Sequence, residues 1–398
     1  MSTYSRRRFV QMGSLASASF FVPKFLKAFE RKAIAENKIL VVLQLSGGND
    51  GLNTVIPYNN DIYYASRPVL GIKKNDVLQM DDEQGLHPAL KGLKALYDNG
   101  EMALLNGVGY PNPNRSHFRS MDIWQSASDS ETVINTGWIG RYLDAQCLHA
   151  DKPTLTMEID DTLSLALKGK NNTGIAVNKP KQFYGDSHDS YFKAILQKHP
   201  VNDEHLNVDY LYKTLAESMS SADYIYQQSK IYKSNVSYPN TNIGKDLKTI
   251  AELINSHIDT KIYYVSLSGF DTHVNQHPQQ QRLFTDMSDS INAFVKDLKS
   301  SNRFKDVMLM TFSEFGRRVG QNASGGTDHG TANCMFLVSG VLKKQGILNA
   351  APDLTDLDQG DLKYQVDFKD VYATMLHNWL KTDDANILNR KNNYLNFI

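Results

Sequence analysis

Two cysteines in 398 residues, Cys147 and Cys334, are too few for a disulfide framework. They also lie so far apart that nothing requires them to pair, and buried thiols are the expected state. Net charge is missing too: Lys+Arg and Asp+Glu both number 43, which excludes a global basic surface for nucleic acid. No apolar run approaches the roughly 20 residues that a spanning helix needs. The three spaced glycines of a dinucleotide fingerprint do not follow the first strand, so no such site is expected. There is no internal repeat and no low-complexity tract. What remains is ordinary globular material, 41% apolar and 22% charged. Its length suits one large α/β domain, or one domain with a substantial insertion.

The first 35 residues differ from the rest. Ser5-Arg6-Arg7-Arg8-Phe9-Val10 precedes a mild apolar stretch, Met12 to Val22, rich in Ala, Ser and Gly. That is the layout of a twin-arginine export signal. Ala33-Ile34-Ala35 offers a small-x-small cleavage site before Glu36, within a segment made basic by Lys24, Lys27, Arg31 and Lys32. The expectation is a periplasmic or exported protein that uses the twin-arginine machinery, with no transmembrane helix in its mature part. That machinery carries folded proteins, often with a cofactor already loaded.

Four apolar runs of strand length each end in a polar, glycine-bearing turn. Ile39 to Leu45 runs into Ser46-Gly47-Gly48-Asn49-Asp50-Gly51. Met102 to Leu105 leads through a Gly- and Pro-rich exit to Asn114-Arg115-Ser116-His117-Phe118, with a helix expected to follow. Ile262 to Leu267 ends in Gly269-Phe270-Asp271-Thr272-His273, with His277 one helical turn beyond. Val307 to Thr311 is followed by Ser313-Glu314-Phe315-Gly316-Arg317-Arg318 and then by Gly326-Thr327-Asp328-His329-Gly330. A fifth apolar run, Met335 to Val338, comes next. In α/β sheets, ligands bind beyond the carboxyl ends of the strands. Amphipathic helices are expected over His87–Tyr97 and Arg282–Leu298, and a further helix over Leu247–Ile258. From about 152 to 242 the composition shifts to Lys, Asn, Gln, Ser and Tyr, which suggests an insertion that caps the site. Its tyrosines, Tyr210, Tyr212, Tyr224 and Tyr226, have either helix packing or stacking on a ligand as their role.

Carboxylates and imidazoles gathered at strand exits suit borderline-to-hard divalent cations such as Zn or Mn. Two such ions can clamp the attacking and leaving oxygens of an in-line displacement. Ser116, at a helix start where free N–H groups favour an anion, could be a nucleophile or only an N-cap.

These motifs together resemble the DUF1501 family of exported bacterial proteins. The resemblance rests on Ser5-Arg6-Arg7, Gln44 to Gly51, Arg115 to Phe118, Gly269 to His273, Ser313 to Arg317 and Gly326 to Gly330. That family is grouped with the alkaline phosphatase and sulfatase superfamily. The resemblance therefore implies a three-layer α/β/α sandwich with a mostly parallel central sheet and a two-metal site. By position it implies Asp50, Asp271, His273, Glu314 and His329 as metal ligands, with His277 open as an alternative to His273. Ser116 resembles the nucleophile, with His117 beside it and Arg317 neutralising an anion. Phe315 stands where the superfamily has a histidine and cannot ligate, so one or two cations per chain are implied. A formylglycine sulfatase is argued against, because neither Ser116 nor either cysteine begins the required x-Pro-x-Arg pattern.

Two functions follow as expectations. The first is a metal-dependent hydrolase of phosphate or sulfate esters, small or polymer-borne. The second is a catalytically degenerate relative that binds a cell-surface polymer or protein.

Overall fold

The computed structural model describes residues 38–147, 153–197 and 206–398. The export signal read in residues 1–35 lies outside them. A sheet of nine strands forms the centre. In chain order its strands are β1 (Ile39–Ser46), β2 (Met102–Gly109), β3 (Thr156–Glu158), β4 (Ile175–Ala176) and β5 (Ile262–Ser268), then β6 (Val307–Phe312), β7 (Asn333–Val338), β8 (Gly346–Ile347) and β9 (Val366–Asp367). Across the sheet the order is β8-β2-β7-β6-β1-β5-β3-β4, and β9 also pairs with β2. β1 runs parallel to β5 and β6, whereas β7 is antiparallel to both β2 and β6.

The near-continuous apolar strands are buried on both faces, as parallel strands must be. Along β1, Ile39, Val41, Leu43 and Leu45 face one core, and Leu40 and Val42 the other. Helices α1 (Lys91–Asp98), α5 (Asn242–Asn255) and α6 (Gln276–Ser300) cover the first face. Helices α2 (His117–Ser126), α3 (Trp138–Gln146) and α7 (Phe368–Thr374) cover the second. The molecule is thus a three-layer α/β/α sandwich with a largely parallel sheet, as expected. Cys147 and Cys334 are both buried.

The direction of β7 matters for the site. β1, β2, β5 and β6 all end at one edge of the sheet. Being antiparallel, β7 starts there, so the loop before it joins the exits of the others. Asp328 and His329 are carried to that edge by the loop.

The stretch 152–242 supplies β3 and β4 to the sheet, and α4 (Leu206–Gln228). The Tyr224 hydroxyl accepts from the Asp259 N–H at 3.4 Å, and Tyr232 and Tyr238 donate to Asp297 at 2.9 and 3.0 Å. Asp259 precedes β5, and Asp297 lies in the last turn of a helix of 25 residues that begins at the strand exits, about 32 Å from that start at 1.5 Å per residue. These tyrosines therefore pack at the N-terminal ends of the strands and do not face the exits. Tyr226 stacks on Tyr184 and holds the Lys230 ammonium 3.6 Å from its ring centre, so it too serves packing. Tyr210 and Tyr212 lie outside the residues whose side chains are described.

Glu158, at the end of β3, is buried, and its carboxylate accepts the Ser164 N–H at 2.7 Å. Burial pushes its pKa from 4.5 up to about 7, against the opposing Ser164 contacts. The folded chain then holds a proton that the unfolded chain has released. The resulting stability is full below about pH 4.5 and is lost as pH rises through about 7. Urea titrations across this window should show that loss, and Glu158→Gln should flatten it.

Candidate metal centre

The site starts from the turn after β1. Gly47 and Gly48 have φ of +119° and +79°, and a Cβ on Gly48 would fall 2.2 Å from the Phe315 ring. Glycine there lets the turn close over the loop that follows β6. Arg317, wholly buried, fastens the two. Its guanidinium donates to the carbonyls of Gly48 at 2.7 Å, Thr327 at 2.8 Å and Phe270 at 2.9 Å, and also to Gly47. It reaches Asp271 Oδ1 at 2.8 Å. Arg317 and His329 pair as an antiparallel bridge, which sets the second loop against the first. Gly326 then passes so close to His273 that a Cβ would lie 2.2 Å from its carbonyl carbon.

On this frame three imidazoles converge. Asp271 Oδ1 lies 3.1 Å from His273 Nε2, 3.3 Å from His329 Nε2 and 3.6 Å from His117 Nε2. The Nε2 atoms of His273 and His329 are 2.9 Å apart. Each Nδ1 faces outward to an acceptor: Glu314 Oε1 for His117 at 3.0 Å, Asp328 Oδ1 for His273 at 3.2 Å, and the Arg115 carbonyl for His329 at 2.8 Å. A carbonyl or carboxylate accepts, so each Nδ1 carries the proton and each Nε2 presents a lone pair. The inner atoms are then acceptors only, three nitrogens and a carboxylate oxygen. Such a cluster repels itself unless a cation or added protons lie inside it. Metal bonds of about 2.0–2.1 Å set ligand atoms about 2.9 Å apart at right angles and about 3.4 Å apart at the tetrahedral angle. The spacings here fall in and around that range.

Electrostatics fit the same arrangement. Burial alone would raise the Asp271 pKa, but the hydrogen bond and charge of the Arg317 guanidinium outweigh it and hold the carboxyl below its ordinary range. Burial lowers the His329 pKa against the opposing Arg115 carbonyl, favouring the neutral ligand form. Asp271 and His273 remain about half and two-fifths exposed, so the cluster opens to solvent. Phe315 is buried beneath, its ring 4.9 Å from that of His117 and 4.5 Å from that of His329.

Several residues stand elsewhere than the sequence suggested. Asp50 is buried, bound by Arg67 and by Gln276 Nε2, each at 2.6 Å. Its ion pair neutralises it, and the structure does not bring it into the cluster. Glu314 also stands back, its Oε1 accepting from the Gly47 N–H at 2.8 Å as well as facing His117. Arg317 is spent on carbonyls and Asp271 and has no free edge for an anion. His117, read as a partner of the nucleophile, is brought among the converging imidazoles instead. His273 is there and His277 is not, since His277 faces the Val69 carbonyl at 3.0 Å. Ser116 is exposed at the start of α2, where its side chain makes no capping hydrogen bond. The sequence reading missed Arg67, in an irregular stretch without a motif, and Asp361, which holds both Arg115 and Arg318.

The C-terminal periplasmic domain of EcEptC from Escherichia coli, in complex with Zn, is 12% identical over 76% of this chain and 73% of its own, with a TM-score of 0.37. A protein in the alkaline phosphatase superfamily from Vibrio parahaemolyticus is 10% identical over 90% and 70%, with a TM-score of 0.40. A phosphonate monoester hydrolase from Silicibacter pomeroyi is 8% identical over 89% and 76%, with a TM-score of 0.38. No curated protein matches the sequence. Residues 227–393, which carry Asp271, His273, Glu314, Arg317, Asp328 and His329, match the family model described as "Protein of unknown function (DUF1501)".

Proposed function

We propose that this chain is an exported hydrolase of phosphate or sulfate esters that uses one divalent cation, Zn or Mn, held by His117, Asp271, His273 and His329. The acceptor-only cluster carries the reading, above all the two imidazole lone pairs 2.9 Å apart. His117, Asp271 and His329 by themselves form a group able to hold a metal ion. A bound divalent cation would supply Lewis-acid polarisation of the ester and a more acidic water. The chain's own groups prepare that centre. Glu314, Asp328 and the Arg115 carbonyl fix the imidazole tautomers and raise their basicity. Phe315 holds two of the rings from below. Ser116, exposed next to His117, orients or attacks the ester. With Asp50 paired to Arg67 and Phe315 unable to ligate, a second ion is not part of the proposal.

The rival is a non-catalytic binding protein. It is favoured by one observation: Asp50 and Arg317, expected to serve metal and substrate, are both consumed by internal contacts.

Elemental analysis of chain purified without chelator should find about one Zn or Mn per molecule. His329→Ala and His273→Ala should lose it, and Glu314→Gln should weaken metal affinity about 10–100-fold. No metal after attempted reloading would end the proposal. Chelation should abolish turnover across a panel of phosphate and sulfate esters, and a metal-loaded chain inert to all of them would favour the rival.

The Asp50–Arg67 pair has the opposite expectation. Arg67→Met leaves a buried carboxylate unpaired and should cost about 3–5 kcal/mol of stability. Metal content of the folded fraction should stay unchanged. Loss of metal at full stability would place Asp50 among the ligands after all.

A further inference from the structure

A cleft of about 410 Å³ adjoins the centre, within the roughly 300–1,000 Å³ usual for small-ligand sites. Its walls include Tyr110, Pro113, Phe315, Thr331, Leu362 and Tyr364. Three of these segments run directly into the centre: Pro113 toward Arg115 and His117, Phe315 beside Glu314, and Thr331 after His329. Phe315 is the shared wall, since its ring also lies against the His117 and His329 rings. The far wall is fixed to the same loop. Asp361, fully buried, binds Arg115 Nε at 2.8 Å and lies 3.3 Å from Arg318 Nε, and Leu362 to Tyr364 follow it in the chain. Gly109 lets this wall close, because a Cβ there would sit 2.9 Å from Tyr364 Cβ.

From this geometry we infer that the cleft seats the alcohol part of the ester, and that this alcohol bears a ring with an apolar face, aryl or pyranose. The inference rests on the hydrolase reading of the neighbouring centre. Apolar and aromatic side chains dominate the walls, and they match the flat face of a ring. The rim offers hydrogen-bonding groups, Asn112, Asp358 and Lys363, for substituents at the ring's edge. The cleft does not suit the anionic end. Lys363 is already paired with Asp356, and Asp358 adds a negative charge. The oxyanion therefore points to the imidazole cluster and the ring to the cleft, with Phe315 as the wall that both share.

The test uses the metal-loaded full chain with phenyl phosphate, glucose 6-phosphate and methyl phosphate, or the matching sulfates. Ring-bearing esters should exceed the methyl ester in kcat/KM by about tenfold or more, mainly through KM, as a filled apolar pocket allows. Whichever of the phenyl and glucosyl esters leads identifies the ring. Tyr364→Ala should lower the ring-to-methyl ratio about tenfold, and Tyr364→Phe should keep it. Independently of turnover, phenol and methyl glucoside binding to the metal-free chain is read by ligand-observed NMR. Binding that Tyr364→Ala removes supports the cleft even if no ester is hydrolysed, in which case only the hydrolase reading fails. Equal turnover of ring and methyl esters, unmoved by Tyr364→Ala and with no ring binding by NMR, overturns the cleft and leaves the hydrolase standing.

Discussion

The buried guanidinium of Arg317 is the contact on which the site depends. A charge removed from water is costly unless hydrogen bonds replace its hydration. Here carbonyls from three loops do so, those of Gly47 and Gly48, of Phe270, and of Thr327, with Asp271 completing the set. The same bonds that compensate the charge draw together the turns after β1 and β5 and the loop before β7. Asp271 and His329 are thereby delivered to one place. Lysine would not substitute, because a single ammonium cannot span carbonyls from separate loops in a fixed plane.

Orientation comes from the outward side of each imidazole. Glu314, Asp328 and the Arg115 carbonyl do not compete for the centre; they decide which nitrogen faces it. Fixing that choice before any ligand arrives reduces the ordering cost of binding. It also explains why two carboxylates in the most polar loops are turned away from the convergence point. Asp361 extends the arrangement by one further contact. It holds Arg115, whose carbonyl orients His329, and Arg318, which follows Arg317. The rigid sheet beneath then makes the spacing of the imidazoles a property of the fold.

Much of this was legible in the chain. The apolar runs became β1, β2, β5, β6 and β7 because a strand buried on both faces needs an unbroken apolar sequence. The polar turns beyond them fell at one edge because parallel strands end together. Asp271, His273 and His329 lie on those turns, and the close Asp-x-His spacing holds both residues at one point. What sequence could not give was partner choice within the cluster. Asp50 lies on a strand-exit turn as the converging residues do, yet Arg67, 17 residues later in an irregular stretch, reaches it first. Arg317 looked like a free cation because no pattern encodes a bond to a distant carbonyl. The stretch 152–242 read as a cap from its polarity, but β3 and β4 join the sheet's edge through backbone pairing that composition does not reveal.

These partner choices are why one cation, and not two, is proposed. A second ion would need further carboxylates or imidazoles. Asp50 meets Arg67, a permanent positive charge already in contact, and Phe315 offers only a ring face. Neither can be recruited by a small side-chain rotation, because Arg67 is buried and also tied to the Val319 and Arg318 carbonyls. The phenyl ring instead supports the imidazoles and forms one wall of the cleft. A single centre beside an apolar cleft is therefore the arrangement that the proposed reading requires.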